Sequence, residues 1–185
     1  MKLTEFLSPE RIYPAVALSS KKRVLEFIAK VVADSFNHMV DFEKEEELAS
    51  SSECFNYLVK REKLGSTAIN NGVAIPHARL PLDYATIDKP IAIFVQLENP
   101  IDYDSNDHKN VDLVYAILFP ESCCTEYKDY LSKVAQRLSD KNILKHLRAS
   151  TSSEDIWQVL SYSDQHTQED EMDSQLENNS TEEIS

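Results

Sequence analysis

The sequence contains little glycine. Only Gly65 and Gly72 occur among its 185 residues. Two glycines cannot form the GxGxxG loop of a dinucleotide-binding site, and the GxxxxGK[ST] loop that holds nucleotide phosphates is missing as well. The sequence therefore excludes these two kinds of nucleotide site.

Cysteine is also scarce and irregularly spaced. Cys54, Cys123 and Cys124 are odd in number and include a vicinal pair but no CxxC motif. This spacing argues against a disulfide framework and indicates a reducing compartment. Because the chain has no Cys/His cluster and no HExxH helix, we expect no zinc or other metal site. No cofactor is expected either.

Long apolar runs are absent. No segment approaches the ~20 apolar residues that cross a bilayer. The N-terminal MKLTEFLSPERIYP lacks the uninterrupted apolar stretch of a signal peptide. The sequence therefore predicts a soluble, cytoplasmic protein with no membrane insertion.

The chain has fewer basic than acidic residues, 19 against 32, and its formal net charge is −13. Residues 163–185 hold eight acidic residues and no Lys or Arg, which leaves 24 acidic and 19 basic residues in the rest of the chain. Neither part offers the basic surface that nucleic-acid binding needs, so nucleic acid is not expected as a partner.

Apolar residues almost vanish beyond Ser161. We therefore predict one domain over residues 1–161 and an acidic, disordered tail over residues 162–185. A passive solubilising extension is the favoured interpretation of the tail. Competition for a basic surface on a partner is the alternative.

Apolar spacing divides the domain into helices and strands. A helix over residues 20–36 begins at a Ser19 or Ser20 cap. A second helical region runs over residues 41–63, with the Ser50–Ser52 cluster as a possible break and Gly65 just past its end.

After this region the apolar period changes from helical to extended. Short apolar runs at residues 72–75, 91–97 and 111–119 are typical of strands, and the last of these is apolar enough to be covered on both faces. Helical spacing returns from Tyr127, again after an Asp140 cap, and again from Ser153. The order of elements predicts a single α/β or α+β sandwich.

Residues 61–79, REKLGSTAINNGVAIPHAR, are the segment that carries chemistry. His77 follows a short apolar strand and Pro76, so its imidazole is expected at a strand end in a defined direction. A neutral imidazole has a free nitrogen that can accept a phosphoryl group and pass it on. Arg61 and Arg79 could supply charge to that group, and Ser66 and Thr67 could supply hydrogen bonds.

A structural or merely exposed histidine explains the same residues from physics alone. Arg61 near a helix end could simply complement the helix dipole, and Ser66 and Thr67 could only close a turn. The residues by themselves leave both interpretations open.

The segment GVAIPHAR, preceded by REKLGSTAI, resembles the phosphorylation segment of the phosphotransferase-system IIA family of the mannitol/fructose type. Within that family the chain looks most like the nitrogen-regulatory branch. The resemblance covers roughly residues 3–160 and includes SKKRVLE, FVQLENPIDYD, VDLVYAILFP and VAQRLSDK.

The resemblance implies one α/β domain, with a mixed central sheet flanked by helices on both sides. It implies that His77 accepts a phosphoryl group from an HPr-like phosphocarrier protein and that Arg61 approaches this histidine. In the nitrogen-regulatory branch the phosphorylation state then tunes binding to regulated partners, whose identity the sequence does not give.

Two residues depart from the family pattern. Ala78 stands where relatives usually have glycine after the histidine, which is tolerable unless φ must be positive. Tyr127 stands where many members carry a second histidine, and a phenol cannot act as a cationic imidazole. These departures favour regulation. They leave two alternatives, a binding module that is no longer phosphorylated and a sugar-specific component that passes phosphate to a separate IIB.

Overall fold

A computed structural model describes residues 1–39, 50–81, 88–123 and 127–182. The elements of the described residues, in chain order, are β1 Ile12–Val16, α1 Lys21–His38, α2 Ser51–Lys63, β2 Val73–Ala74, β3 His77–Leu80, β4 Ile91–Ile101, β5 Val111–Pro120, α3 Tyr127–Arg137, α4 Lys141–Ala149 and α5 Ser153–Glu182. No helix in these ranges is both long and apolar enough to cross a membrane.

The strands form one mixed sheet. β4 lies between β1, with which it is parallel, and β5, with which it is antiparallel. β2 and β3 both run parallel to β5 on its other side, in one continuous register from Val73 opposite Leu113 to Leu80 opposite Pro120. Pro76 interrupts this edge because it has no N–H, yet its carbonyl still accepts from the Ile117 amide at 3.0 Å.

Both faces of the sheet are buried. α1 and α2 pack on one face, where Val114, Ala116 and Leu118 of β5 meet them. α3, α4 and α5 cover the other face, which receives the alternate residues Tyr115 and Ile117. The alternation follows from the strand period of two, and it confirms the predicted sandwich of a mixed sheet between helices.

The helices α1 and α2 each begin directly after a serine that acts as the N-cap. The Ser20 side chain accepts from the Arg23 amide at the start of α1, which runs two residues further than predicted, to His38. Ser50 caps α2 by accepting from the Glu53 amide at 3.1 Å. The predicted helical region over 41–63 is therefore confirmed from Ser51 to Lys63, and its part over 41–49 lies outside the described residues.

α5 runs past residue 161, where the domain is predicted to end, and continues as a helix to Glu182. The division into a domain and an acidic, disordered tail stays a prediction. Ser163 and Asp164 are buried. Asp164 accepts from the Leu3 amide at 2.7 Å and the Thr4 hydroxyl at 2.7 Å, and it pairs with Arg137 at 3.2 Å.

This anchor explains why composition gives little sign that the chain packs beyond residue 161. The carboxylate of Asp164 adds no apolar signal to the sequence, but it joins the N-terminal residues, the end of α3 and α5. Beyond residue 161 the number of apolar residues falls, but the polar residues Ser163 and Asp164 still pack against the domain.

We expect Asp164→Asn to lower the free energy of unfolding by about 2 kcal/mol, because it removes the charge from hydrogen bonds that are buried or partly buried. Urea unfolding followed by circular dichroism measures the change. The matched control is Asp129→Asn, whose carboxylate is exposed and pairs with Lys133, with an expected effect within about 0.5 kcal/mol. Equal midpoints for the two variants would show that Asp164 is not an anchor.

Candidate functional site

His77 is the first residue of β3, directly after Pro76 on the edge of the sheet, and is half-buried. Its Nδ1 lies 2.8 Å from the carbonyl oxygen of Ile75. A carbonyl oxygen only accepts hydrogen bonds, so Nδ1 carries the ring proton of the neutral imidazole. Nε2 then holds the free lone pair, which makes it the nucleophilic atom of the ring.

Arg61 meets this nitrogen from the last turn of α2. Its Nε donates to Nε2 of His77 at 3.1 Å, and its Nη1 donates to the carbonyl of Gly65 at 2.9 Å. Gly65 follows the Leu64 cap with φ +148°, where glycine is favoured, and turns the chain back beside the guanidinium. The helix end therefore fixes the arginine against the histidine.

The environment keeps the imidazole neutral. Burial lowers the pKa of His77 below its ordinary 6.5, because desolvation disfavours the imidazolium. The hydrogen bond to Ile75 raises this pKa, the positive charge of Arg61 lowers it and the negative charge of Glu62 raises it, with a net lowering. The lowered pKa therefore favours the neutral ring, with its Nε2 lone pair, at neutral pH.

We expect NMR titration to give His77 a pKa below 6.5. The histidine binds its proton less readily in the folded than in the unfolded chain, so its contribution to stability is complete above the unfolded pKa and declines as the pH falls toward the folded pKa. Arg61→Ala should move the His77 pKa upward, because a neighbouring positive charge is removed. A His77 pKa at or above the ordinary value in the wild type would contradict this description.

Ser66 and Thr67 lie beside the site, but their hydroxyls are engaged elsewhere. The Ser66 hydroxyl donates to the carbonyl of Tyr103 at 2.9 Å. The buried Thr67 hydroxyl donates to the carboxylate of Glu62 in a short hydrogen bond. Each hydroxyl has one proton to donate. The prediction that these hydroxyls donate to a phosphoryl group therefore does not match this arrangement, in which they brace the turn.

A buried network around Glu62 was not found by sequence reasoning. The Glu62 side chain is only 6% exposed and pairs with Lys21 at 2.9 Å. It also accepts from the Thr67 amide at 3.1 Å and from the Tyr103 hydroxyl at 3.2 Å. Burial, with the negative charge of Glu62, raises the pKa of Tyr103 well above 10, so the phenol stays a donor. The network fixes the end of α2, and hence Arg61.

Arg79 lies two residues after His77 and points to the same side of β3. It is exposed, and its Nη2 donates to the Tyr127 hydroxyl at 3.3 Å while its guanidinium lies 5.2 Å from the centre of that ring. Tyr127 is the first residue of α3 and packs on Phe119. The structure thus places Tyr127 against Arg79, two residues along β3 from His77.

Ala78 causes no strain after His77. It lies within β3 opposite Leu118, its side chain is buried among the residues that face α1 and α2, and its φ is not positive. Only a positive φ would require glycine here. The predicted tolerance of alanine at this position agrees with the backbone.

The arrangement supplies a neutral nucleophilic nitrogen and a guanidinium in contact with it. Within the described ranges no group of three His, Cys, Asp or Glu side chains could hold a metal ion.

Comparison with known proteins identifies the family. Residues 5–163 match the family described as phosphoenolpyruvate-dependent sugar phosphotransferase system, EIIA 2. The chain is 47% identical over 167 residues to a nitrogen regulatory protein homolog of Haemophilus influenzae, covering 89% of this chain and 94% of that protein. It is 36% identical over 160 residues to the nitrogen regulatory protein of Escherichia coli K12, covering 86% and 90% respectively.

The chain is also similar to solved structures. The crystal structure of nitrogen regulatory protein IIA-Ntr from Neisseria meningitidis matches with a TM-score of 0.72 and 30% identity, covering 85% of this chain and 98% of that one. IIA mannitol from Escherichia coli matches with a TM-score of 0.64 and 17% identity, covering 83% and 98%, and so supports the fold alone.

Proposed function

The chain belongs to the EIIA 2 family of the phosphoenolpyruvate-dependent sugar phosphotransferase system, and we propose that it is a phosphocarrier that accepts a phosphoryl group on Nε2 of His77. An HPr-like phosphocarrier protein is the proposed donor. The observation that carries the proposal is the contact between Arg61 and Nε2 of His77. The other ring nitrogen, Nδ1, is already bound to the Ile75 carbonyl.

The transfer step follows from this geometry. The Nε2 lone pair of His77 attacks the phosphorus atom of the donor's phosphohistidine and forms a new N–P bond. The donor's N–P bond breaks, and its electron pair stays on the donor imidazole. Nδ1 of His77 keeps its proton and its hydrogen bond to Ile75 throughout, so this histidine needs no base.

Arg61 has a different partner before and after the transfer. In the structure it donates to Nε2, the atom that must be free to attack. That hydrogen bond must break as the phosphorus approaches, and the guanidinium then has donors for the phosphoryl oxygens. Its second hydrogen bond, to Gly65, can keep the side chain in place during this exchange.

We further propose that the phosphorylation state regulates partner proteins, as the name nitrogen regulatory protein of its relatives suggests. A phosphoryl group adds about −1.5 to −2 charges. At the sheet edge this change alters the surface that a partner meets and leaves the sheet itself in place. Tyr127, held by Arg79 where many relatives carry a second histidine, favours regulation over rapid onward transfer to a IIB component.

Intact-mass spectrometry tests the proposal. The protein is incubated with phosphoenolpyruvate, enzyme I and the HPr-like carrier of the same organism, with a known IIA protein labelled in parallel. We expect the mass of one added phosphoryl group, lost in acid. An unchanged mass beside a labelled control protein would leave the non-phosphorylated binding module as the better description.

A further inference from the structure

The surface around His77 is basic although the chain is acidic. On α2, Tyr57, Lys60, Arg61 and Leu64 recur at the i, i+3, i+4, i+7 spacing that puts them on one helical face. Arg61 is the member of this face that contacts His77. The face therefore borders the nucleophile, and Lys60 on it is exposed.

Further basic side chains lie on the three elements that meet at the site. Lys63 ends α2, two residues after Arg61, Arg79 lies on β3 with His77, and Lys128 follows Tyr127 on α3. All three are exposed. We call the set Lys60, Lys63, Leu64, Arg79 and Lys128 the His77 rim.

Two carboxylates on the same helices as the rim are paired with bases outside it. Glu62 is buried against Lys21, and Asp129 of α3 pairs with Lys133 at 2.8 Å. The rim thus presents positive charge on a chain whose net charge is −13.

Leu64 gives the rim an apolar centre. Its side chain is 84% exposed, more than the other exposed large apolar residues of the described part, Met39 at 52% and Tyr162 at 63%. It lies one turn from Arg61 on the same helical face. A partner that docks over His77 would bury this side chain and gain the free energy of removing it from water.

We propose that the His77 rim docks a phosphocarrier whose contact face has an apolar centre ringed by carboxylates. This inference rests on the proposed phosphocarrier function and specifies its partner. Opposite charge steers such a carrier toward His77 and speeds the encounter. Once the phosphoryl group is on His77, its negative charge offsets the rim, so the same electrostatics favour release of the acidic carrier.

The experiment uses the double variant Lys60→Glu/Lys63→Glu. Neither lysine has a contact with His77 recorded in the structure, and circular dichroism checks the fold. The readout is the second-order rate constant of transfer from the phosphorylated HPr-like carrier of the same organism. We expect about a tenfold decrease at low ionic strength, shrinking to about twofold or less in ~0.5 M salt, where the Debye length is only a few ångströms.

The matched control is Lys109→Glu/Lys141→Glu. These exposed lysines line the cleft that contains Gly72 and Arg148, at the far end of the β2–β3 edge from His77. The control makes the same change in net charge, and we expect a smaller loss of rate than in the rim variant, because its charges lie farther from His77 and electrostatic interaction weakens with distance. Leu64→Ala should slow transfer to a similar degree at both salt concentrations, since apolar contact is not screened.

Three results would overturn the inference: an unchanged rate in the rim variant, a faster rate, which would indicate a basic carrier, or an equal loss in the control. Failure of the proposed function looks different, because the wild type itself would then remain unlabelled. In that case, NMR titration with the unphosphorylated carrier still tests docking. Shifts at the rim that are lost in Lys60→Glu/Lys63→Glu support the surface, and their absence contradicts it.

Discussion

Replacement of His77 by alanine is expected to abolish phosphoryl acceptance, with no added mass even after long incubation with the donor system. The reason is that the substitution removes the proposed attacking atom, Nε2, whose lone pair is left free by the Nδ1 hydrogen bond to Ile75. His77→Gln is a useful second variant because an amide keeps polarity and much of the volume but is not a nucleophile. Both variants should keep the fold, since the side chain is only half-buried at a sheet edge.

His146→Ala is the matched control for the loss at His77. Its Nδ1 also bonds to a backbone carbonyl, that of Asn142 at 2.7 Å, but it is an exposed residue of α4. A histidine with a similar ring contact therefore exists elsewhere in the chain, and its replacement should leave labelling unchanged. Labelling that persists in His77→Ala, or disappears in His146→Ala, would place the phosphoryl group on another residue.

Arg61→Ala is expected to slow phosphoryl transfer by about 10²–10³-fold, the range found when one preorganised donor is removed from an active site. The loss is a balance of two effects. The variant frees Nε2 from its hydrogen bond, which favours attack, but it removes the guanidinium that stabilises the charge of the phosphoryl oxygens. The second effect dominates because the guanidinium interacts more strongly with the negatively charged phosphoryl oxygens than with the neutral imidazole nitrogen.

Two further variants separate the causes. Arg61→Lys keeps the charge without the planar donor fork and should recover only part of the rate. Arg79→Ala removes an exposed arginine of the same strand, bound to Tyr127, and should slow transfer less than Arg61→Ala. Rapid-quench kinetics with the phosphorylated carrier give these rates. If Arg61→Ala transfers as fast as the wild type, Arg61 is only a helix-end residue that happens to contact His77.

Much of the fold could be predicted because its signals are local. Ser20 and Asp140 cap helices, and Gly65 ends one, through contacts within a few residues. The apolar runs of β4 and β5 predict strands, and the nearly continuous run of β5 also predicts burial on both faces, as the structure shows.

The site was only partly predictable, for the opposite reason. His77 and Arg61 lie in one short segment, so the sequence brings them together. Glu62, by contrast, meets Tyr103 across 41 residues, and Arg79 meets Tyr127 across 48. Asp164 reaches Leu3 across 161 residues. No local period encodes such pairs, because they exist only once the sheet has placed distant segments side by side.

The central claim is that Nε2 of His77 receives the phosphoryl group, and NMR of the phosphorylated protein with ¹⁵N-labelled histidine tests it most directly. Coupling between phosphorus and a ring nitrogen identifies the bonded atom. We predict coupling to Nε2 of His77, with Nδ1 still protonated and bound to the Ile75 carbonyl, as its position in the unphosphorylated protein requires. Coupling to Nδ1 of His77, or to a nitrogen of any other histidine, would contradict the account.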